Sequence, residues 1–106
     1  MVKRGEVWLV QLDPTQGSEI QKTSPCLIIS PTEMHGHLKT VLAAPMTTGS
    51  RAAGFRVAVT FKGKQGLILL DQIRALDKIR LVSKLGSVST HTLHTTLKIL
   101  RDVFEV

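Results

Sequence analysis

The sequence predicts a small, mostly β protein: an antiparallel, strongly curved sheet or partly open barrel with a C-terminal helix. Three observations lead there. Short runs of apolar or alternating character recur up to about Val88. Proline and glycine interrupt these runs every few residues, as tight turns between short strands require. After Ser89 the hydrophobic period changes from two to that of a helix.

Each element follows from its residues. Val7 to Leu12 is rich in β-branched and aromatic residues and is stopped by Asp13-Pro14. Cys26 to Ser30 is a continuous apolar run between Pro25 and Pro31, of a length that suits a buried strand. Thr40 to Ala44 repeats that character and ends at Pro45. Phe55 to Phe61 alternates, with Arg56 and Thr60 on one face and Phe55, Val57, Val59 and Phe61 on the other. Gly63 and Gly66 bracket the turn that follows. Leu67 to Leu76 reads as one further strand, Asp77 to Arg80 as a short turn or helical piece, and Leu81 to Val88 as a last strand bent at Gly86. Leu93, Leu97, Leu100 and Phe104 then recur at helical spacing, with Ile99 and Val103 widening the stripe. Ser89 or Thr90 can cap this helix. Its first turn is poor in strong helix formers, so packing against the sheet must hold it.

At 106 residues and 42% hydrophobic content, the chain reads as one domain over 1–106. Such a domain buries a core without disulfides or metal. Cys26 has no partner and reads as a reduced core residue of a cytoplasmic protein. No signal segment is visible. The longest stretch without Asp, Glu, Lys or Arg runs from 85 to 97 and is rich in Ser, Thr and His, which excludes a spanning helix and a membrane partner. The net charge of +6 is uneven. Arg51, Arg56, Lys62, Lys64, Arg74, Lys78, Arg80 and Lys84 face only Asp71 and Asp77 in their stretch. A cationic surface of this kind attracts a phosphate backbone or an acidic protein.

The chemistry-bearing residues narrow quickly. His35 and His37 flank Gly36, and His91 and His94 sit three apart. Only Glu33 offers a nearby carboxylate, so neither a metal nor another cofactor is expected. There is no phosphate-binding glycine loop and no Gly-x-Ser-x-Gly elbow. Of Trp8, Phe55, Phe61 and Phe104, at least three read as core. Two loops remain. One runs through Gly17-Ser18-Glu19 and Lys22 to Ser24-Pro25. The other is Pro45-Met46-Thr47-Thr48-Gly49-Ser50-Arg51. Hydroxyls, an acid and cations there lie near strand ends, where a rigid sheet can hold them.

Arg4-Gly5-Glu6-Val7-Trp8-Leu9-Val10, Asp13-Pro14-Thr15, Gly17-Ser18-Glu19, Pro25-Cys26-Leu27-Ile28-Ile29-Ser30-Pro31, Pro45-Met46-Thr47-Thr48 and Leu70-Asp71-Gln72-Ile73-Arg74 occur in this order. In order and spacing the set resembles the MazF/PemK-type toxins of bacterial toxin–antitoxin modules, from about Arg4 to the terminal helix. The resemblance implies an SH3-like barrel, of the type also seen in CcdB toxins, working as a homodimer. It implies a sequence-specific, metal-independent endoribonuclease that cuts single-stranded mRNA and arrests growth. In that chemistry the ribose 2′-hydroxyl attacks the adjacent phosphate and leaves a 2′,3′-cyclic phosphate and a 5′-hydroxyl. A cognate antitoxin with an acidic, flexible segment is the implied protein partner.

The resemblance also assigns roles. Thr47 matches a catalytic threonine and Glu19 an acidic position of the active-site loop. Asp71 falls where some members use an aspartate at the RNA site, and Thr48, Arg51, Gln72 and Lys22 are the implied RNA contacts. The family's catalytic arginine, just before the proline of the second strand, is Ser24 here. Arginine suits that task because its planar fork gives parallel donors to phosphate and stays charged. Lys22 would share a face with Ser24 in an extended chain, about 6–7 Å away, but lacks the fork. Losing one transition-state donor costs about 10²–10³ in rate, so the expectation is an attenuated or inactive nuclease, altered either by engineering or by natural change. Two other readings stand beside it. One is an RNA-binding barrel without catalysis. The other is a gyrase poison of the CcdB type, whose effect comes from terminal residues of Trp-Gly-Ile type, whereas this chain ends Phe104-Glu105-Val106.

Overall fold

A computed structural model describes residues 1–49 and 53–106. Among these lie β1 (Glu6–Gln11), β2 (Thr23–Ile28), β3 (Thr40–Thr47), β4 (Arg56–Phe61), β5 (Lys64–Leu69), β6 (Arg74–Asp77), β7 (Leu81–Ser87) and helix α1 (Thr90–Val103). Every pairing is antiparallel. The strand path is β4-β5-β3-β2-β1-β7, and β6 also pairs with β3. Only the short 3₁₀ turn Lys78–Arg80 joins β6 to β7. The two ends of the path β6-β3-β2-β1-β7 therefore come together, and the sheet curls on itself into the expected barrel-like form.

Strand alternation divides the core between two faces. Val7, Leu27, Ala44, Met46, Val57 and Ile68 form one cluster, closed by Leu100 of α1, with Leu97 and Ile99 against it. Val10, Leu12, Cys26, Ile28, Ala43 and Leu76 form the other, inside the curl. The helix starts where expected: Ser89 Oγ accepts the backbone N–H of Thr92.

Several expectations need correction. Pro45 does not stop β3. It pairs with Cys26 at the last recorded rung with β2, and the next residue, Met46, pairs with Ile68 of β5. Its missing N–H thus falls where the strand changes partner. Strand β2 begins before Pro25 and not after it. The single strand expected over Leu67–Leu76 is broken by a 3₁₀ turn at Leu70–Gln72. Side-chain bonds of Asp71 and Gln72, described below, hold that corner. Gly63 lies in the β4–β5 turn at φ 78°, but Gly66 lies inside β5. Of the four aromatics only Trp8 and Phe61 pack on the core, while Phe55 and Phe104 are exposed.

Candidate active site

The ladder between β2 and β3 sets the site. Its recorded rungs are Cys26–Pro45, Leu27–Ala44 and Ile28–Ala43. Continued two residues further, the same register would bring Ser24 to Thr47, although from Met46 onward β3 pairs with β5. The strands are still adjacent there, because Ser24 Oγ donates to the Met46 carbonyl oxygen at 3.2 Å, with the Pro25 carbonyl oxygen at 3.3 Å. Ser24 is buried, and on this alternation it shares a face with Cys26. Its hydroxyl is absorbed by main-chain carbonyls. Thr47 is half-buried, and its Oγ1 accepts the Gly49 N–H at 3.3 Å. Thr48 is exposed beside it.

Two openings reach this part of β3, one at Met46–Thr47 and one at Pro45. One, of about 330 Å³, is lined by Pro25, Thr47, Thr48, Lys64 and Gly66 among others. The second, of about 180 Å³, is lined by Leu12, Glu19, Pro45, Asp71, Gln72 and Arg74 among others. The structure thus gathers Ser24, Thr47 and Thr48 at one end of β3, and Glu19, Asp71 and Gln72 around the adjoining cleft. Arg51 lies outside the described residues.

The loop before β2 is held from below. Gln72 Oε1 accepts the Ile20 N–H at 3.0 Å, and Gln72 Nε2 donates to the Ser18 carbonyl oxygen at 3.4 Å. Both ends of this amide serve the loop that carries Glu19. Glu19 Oε1 in turn accepts the Gln16 N–H at 2.6 Å. Asp71 pairs with Arg56 through Nε at 3.2 Å and Nη2 at 3.0 Å. That guanidinium holds the Asp71 carboxyl below the ordinary range, against the opposing pull of burial, and Asp71 holds Arg56 more firmly protonated.

Lys22 departs from expectation. Its φ is 62°, a left-handed conformation, so the chain is not extended there and the shared face with Ser24 does not hold. Its N–H donates to Asp13 Oδ1 at 2.9 Å, and its carbonyl oxygen accepts the Leu12 N–H at 2.7 Å. The histidines do not form a site. His35 is buried, with Ser30 Oγ 2.6 Å from Nε2 and the Val2 carbonyl oxygen 2.7 Å from Nδ1. Ser30 Oγ accepts the Leu42 N–H, which leaves its proton for Nε2. Among the described residues no group of three or more His, Cys, Asp or Glu is placed to hold a metal ion. No helix among them is long and apolar enough to cross a membrane.

Sequence reasoning missed two residues. Arg74 stands in the quoted Leu70–Arg74 motif without a role, yet it lines the cleft. Gly66 reads as a turn glycine, yet a Cβ there would lie 2.7 Å from the Thr47 carbonyl oxygen.

The fold and the site define a small curled-sheet protein with hydroxyls, carboxylates and a guanidinium near strand ends. Residues 3–104 match the family described as PemK-like, MazF-like toxin of type II toxin–antitoxin systems, and the chain belongs to that family. Endoribonuclease PemK of Escherichia coli is 40% identical over 81 residues, which cover 72% of this chain and 61% of that protein. The chain thus spans about three fifths of that relative's length. Endoribonuclease MazF of Staphylococcus epidermidis is 38% identical over 95 residues, covering 84% of this chain and 79% of that protein. Among solved structures, an endoribonuclease in complex with its cognate antitoxin, from a mycobacterial species, superposes with a TM-score of 0.81. It is 26% identical and covers 96% of this chain and 93% of that one.

Proposed function

We propose that this chain is a sequence-specific, metal-independent endoribonuclease of single-stranded mRNA, attenuated by Ser24. The ribose 2′-hydroxyl attacks the adjacent phosphorus, and the products carry 2′,3′-cyclic phosphate and 5′-hydroxyl ends. The observation that carries this reading is the hydrogen bond from Ser24 Oγ to the Met46 carbonyl oxygen, which supports a position for Ser24 beside Thr47 in a member of the PemK-like, MazF-like family. In this reading the Thr47 hydroxyl bonds the phosphate, Glu19 handles the 2′ proton, and Thr48, Asp71, Lys22 and Arg51 contact the RNA. Gln72 acts by holding the Glu19 loop, since both ends of its amide are engaged there. Ser24 contributes neither charge nor a free O–H donor. We further propose a homodimer, and a cognate antitoxin whose acidic segment competes with RNA for the same positive potential.

The test is cleavage of a long defined RNA in EDTA, with end-group analysis, by the chain and by Ser24→Arg. Faster cleavage by the variant, by about 10²-fold or more, with cyclic-phosphate ends from both proteins, is the expected result. Absence of cleavage by Ser24→Arg would sink the nuclease reading. It would favour the second reading, a non-catalytic RNA-binding barrel, which the engagement of Ser24 Oγ by the Met46 carbonyl supports.

A further inference from the structure

We infer that Arg74 is the catalytic cation of this chain, delivering from β6 the guanidinium that position 24 lacks. The inference rests on the nuclease reading above.

The path of the side chain carries it. Arg74 sits on β6 opposite Ala43 of β3, whose side chain belongs to the core cluster inside the curl. Its Nη1 donates to the Leu12 carbonyl oxygen, 3.3 Å away, just beyond the end of β1. Strands β3 and β2 lie between β6 and β1 in the sheet. This bond brings the guanidinium to the chain just after β1, beside the cluster inside the curl that holds Leu12 and Cys26. Its charge is felt there: burial pushes the Cys26 thiol up to about 12, and Arg74 pulls in the opposite direction. Arg74 also lines the cleft with Glu19, Pro45 and Asp71. Pro45 lies midway along β3 between Ala43, opposite Arg74, and Thr47.

The chemistry suits the position. Ala43 and Thr47 are four residues apart, about 13 Å of strand. In this inference a phosphate sits between the guanidinium and the Thr47 hydroxyl, which the reach of a long arginine side chain serves to bring together. Among the described residues its one recorded hydrogen bond goes to Leu12, which leaves further N–H donors for a phosphate oxygen. In the reaction the 2′-oxygen–phosphorus bond forms and the phosphorus–5′-oxygen bond breaks. The proton lost by the 2′-hydroxyl goes to the Glu19 carboxylate, and the leaving 5′-oxygen takes a proton from solvent water, whose hydroxide is neutralised when Glu19 releases its proton. Arg74 transfers no proton; it offsets the charge that gathers on the non-bridging oxygens.

A two-by-two comparison tests this: the chain, Arg74→Ala, Ser24→Arg, and the double variant, each assayed for single-turnover cleavage of one RNA in EDTA. Expected are residual cleavage by the chain, a fall of about 10²-fold or more in Arg74→Ala, and a fall of less than tenfold when Ser24→Arg is already present. Arg74→Lys keeps the charge and the apolar stem but not the fork, and should lose tenfold or more at unchanged melting temperature. An equal loss in both backgrounds, no loss in either, or cleavage by Ser24→Arg beside none by the chain overturns the role of Arg74. If no variant cuts RNA, the nuclease reading itself has failed, and this inference goes with it.

Discussion

Glu6 shows how tightly single residues are bound into this fold. It is buried at 5% exposure, yet charged. Its Oε1 accepts the Lys3 N–H at 2.8 Å and Trp8 Nε1–H at 3.1 Å, and its Oε2 pairs with Lys84 Nζ at 2.9 Å. Burial pulls its carboxyl pKa upward, but Lys84, the Lys3 amide and Trp8 more than offset this, so it ends below its ordinary 4.5. A carboxylate depressed on folding contributes stability above its unfolded pKa and loses it as pH falls through the folded value. Stability should therefore drop below about pH 4.5. Glu6→Gln should flatten that part of the pH profile. Glu6→Ala should cost about 1–3 kcal/mol at pH 7, because the Trp8 and Lys3 donors lose their acceptor. Urea unfolding at pH 7 and at pH 3.5 checks both, and an unchanged acid limb in Glu6→Gln would refute the assignment. Ser24 is the opposite case: a buried hydroxyl whose one proton is engaged by main chain, with no donor left over for a phosphate oxygen.

At the scale of elements, the approach of β5 to β3 decides where Thr47 sits. Thr47 pairs with Leu67, and beside it Gly66 leaves no room for a Cβ, which would meet the Thr47 carbonyl oxygen at 2.7 Å. Gly66→Ala must push β5 off β3 at the threonine. It should destabilise the protein by about 1–3 kcal/mol and lower RNA cleavage more than tenfold. Gly36→Ala, where an added Cβ meets nothing within 4 Å, serves as the control. Equal activity in the two variants would show that Thr47 is not held by this contact. The same elements show what the sequence could convey. Periodicity located β1, β4, β7 and α1, because in each the pattern is local. It missed the breaks at Leu70–Gln72 and the continuation of β3 through Pro45, because those depend on which strand is the neighbour. Ser24, Thr47 and Glu19 were singled out through motif order. Arg74 was not: its hydrogen bond reaches Leu12, sixty-two positions away in the chain, and no local pattern marks such a contact.

At the scale of the whole molecule, the net charge of +6 overstates the charge open to a ligand. Within the basic stretch Arg56 is paired with Asp71 and Lys84 with Glu6. Arg80 donates to the Gln11 and Asp13 carbonyl oxygens, and Lys78 to that of His35. Lys62 and Lys64 are exposed on the β4–β5 hairpin, and Lys64 lines the same opening as Thr47 and Thr48. Lys22 is exposed on the loop before Ser24. If these three cations and Arg74 meet phosphates, the slope of log affinity against log salt for single-stranded RNA should be about −2.8. Binding of a cleavage-resistant RNA, with 2′-deoxy sugars at the cut sites, should then weaken about 50-fold between 50 and 200 mM salt. Lys64→Ala should make the slope shallower by about 0.7, which fluorescence anisotropy across a salt series can resolve. A slope near zero would mean that the basic surface does not hold the RNA backbone. A slope unchanged by Lys64→Ala would move the RNA path away from the hairpin, and with it the phosphate away from Thr47.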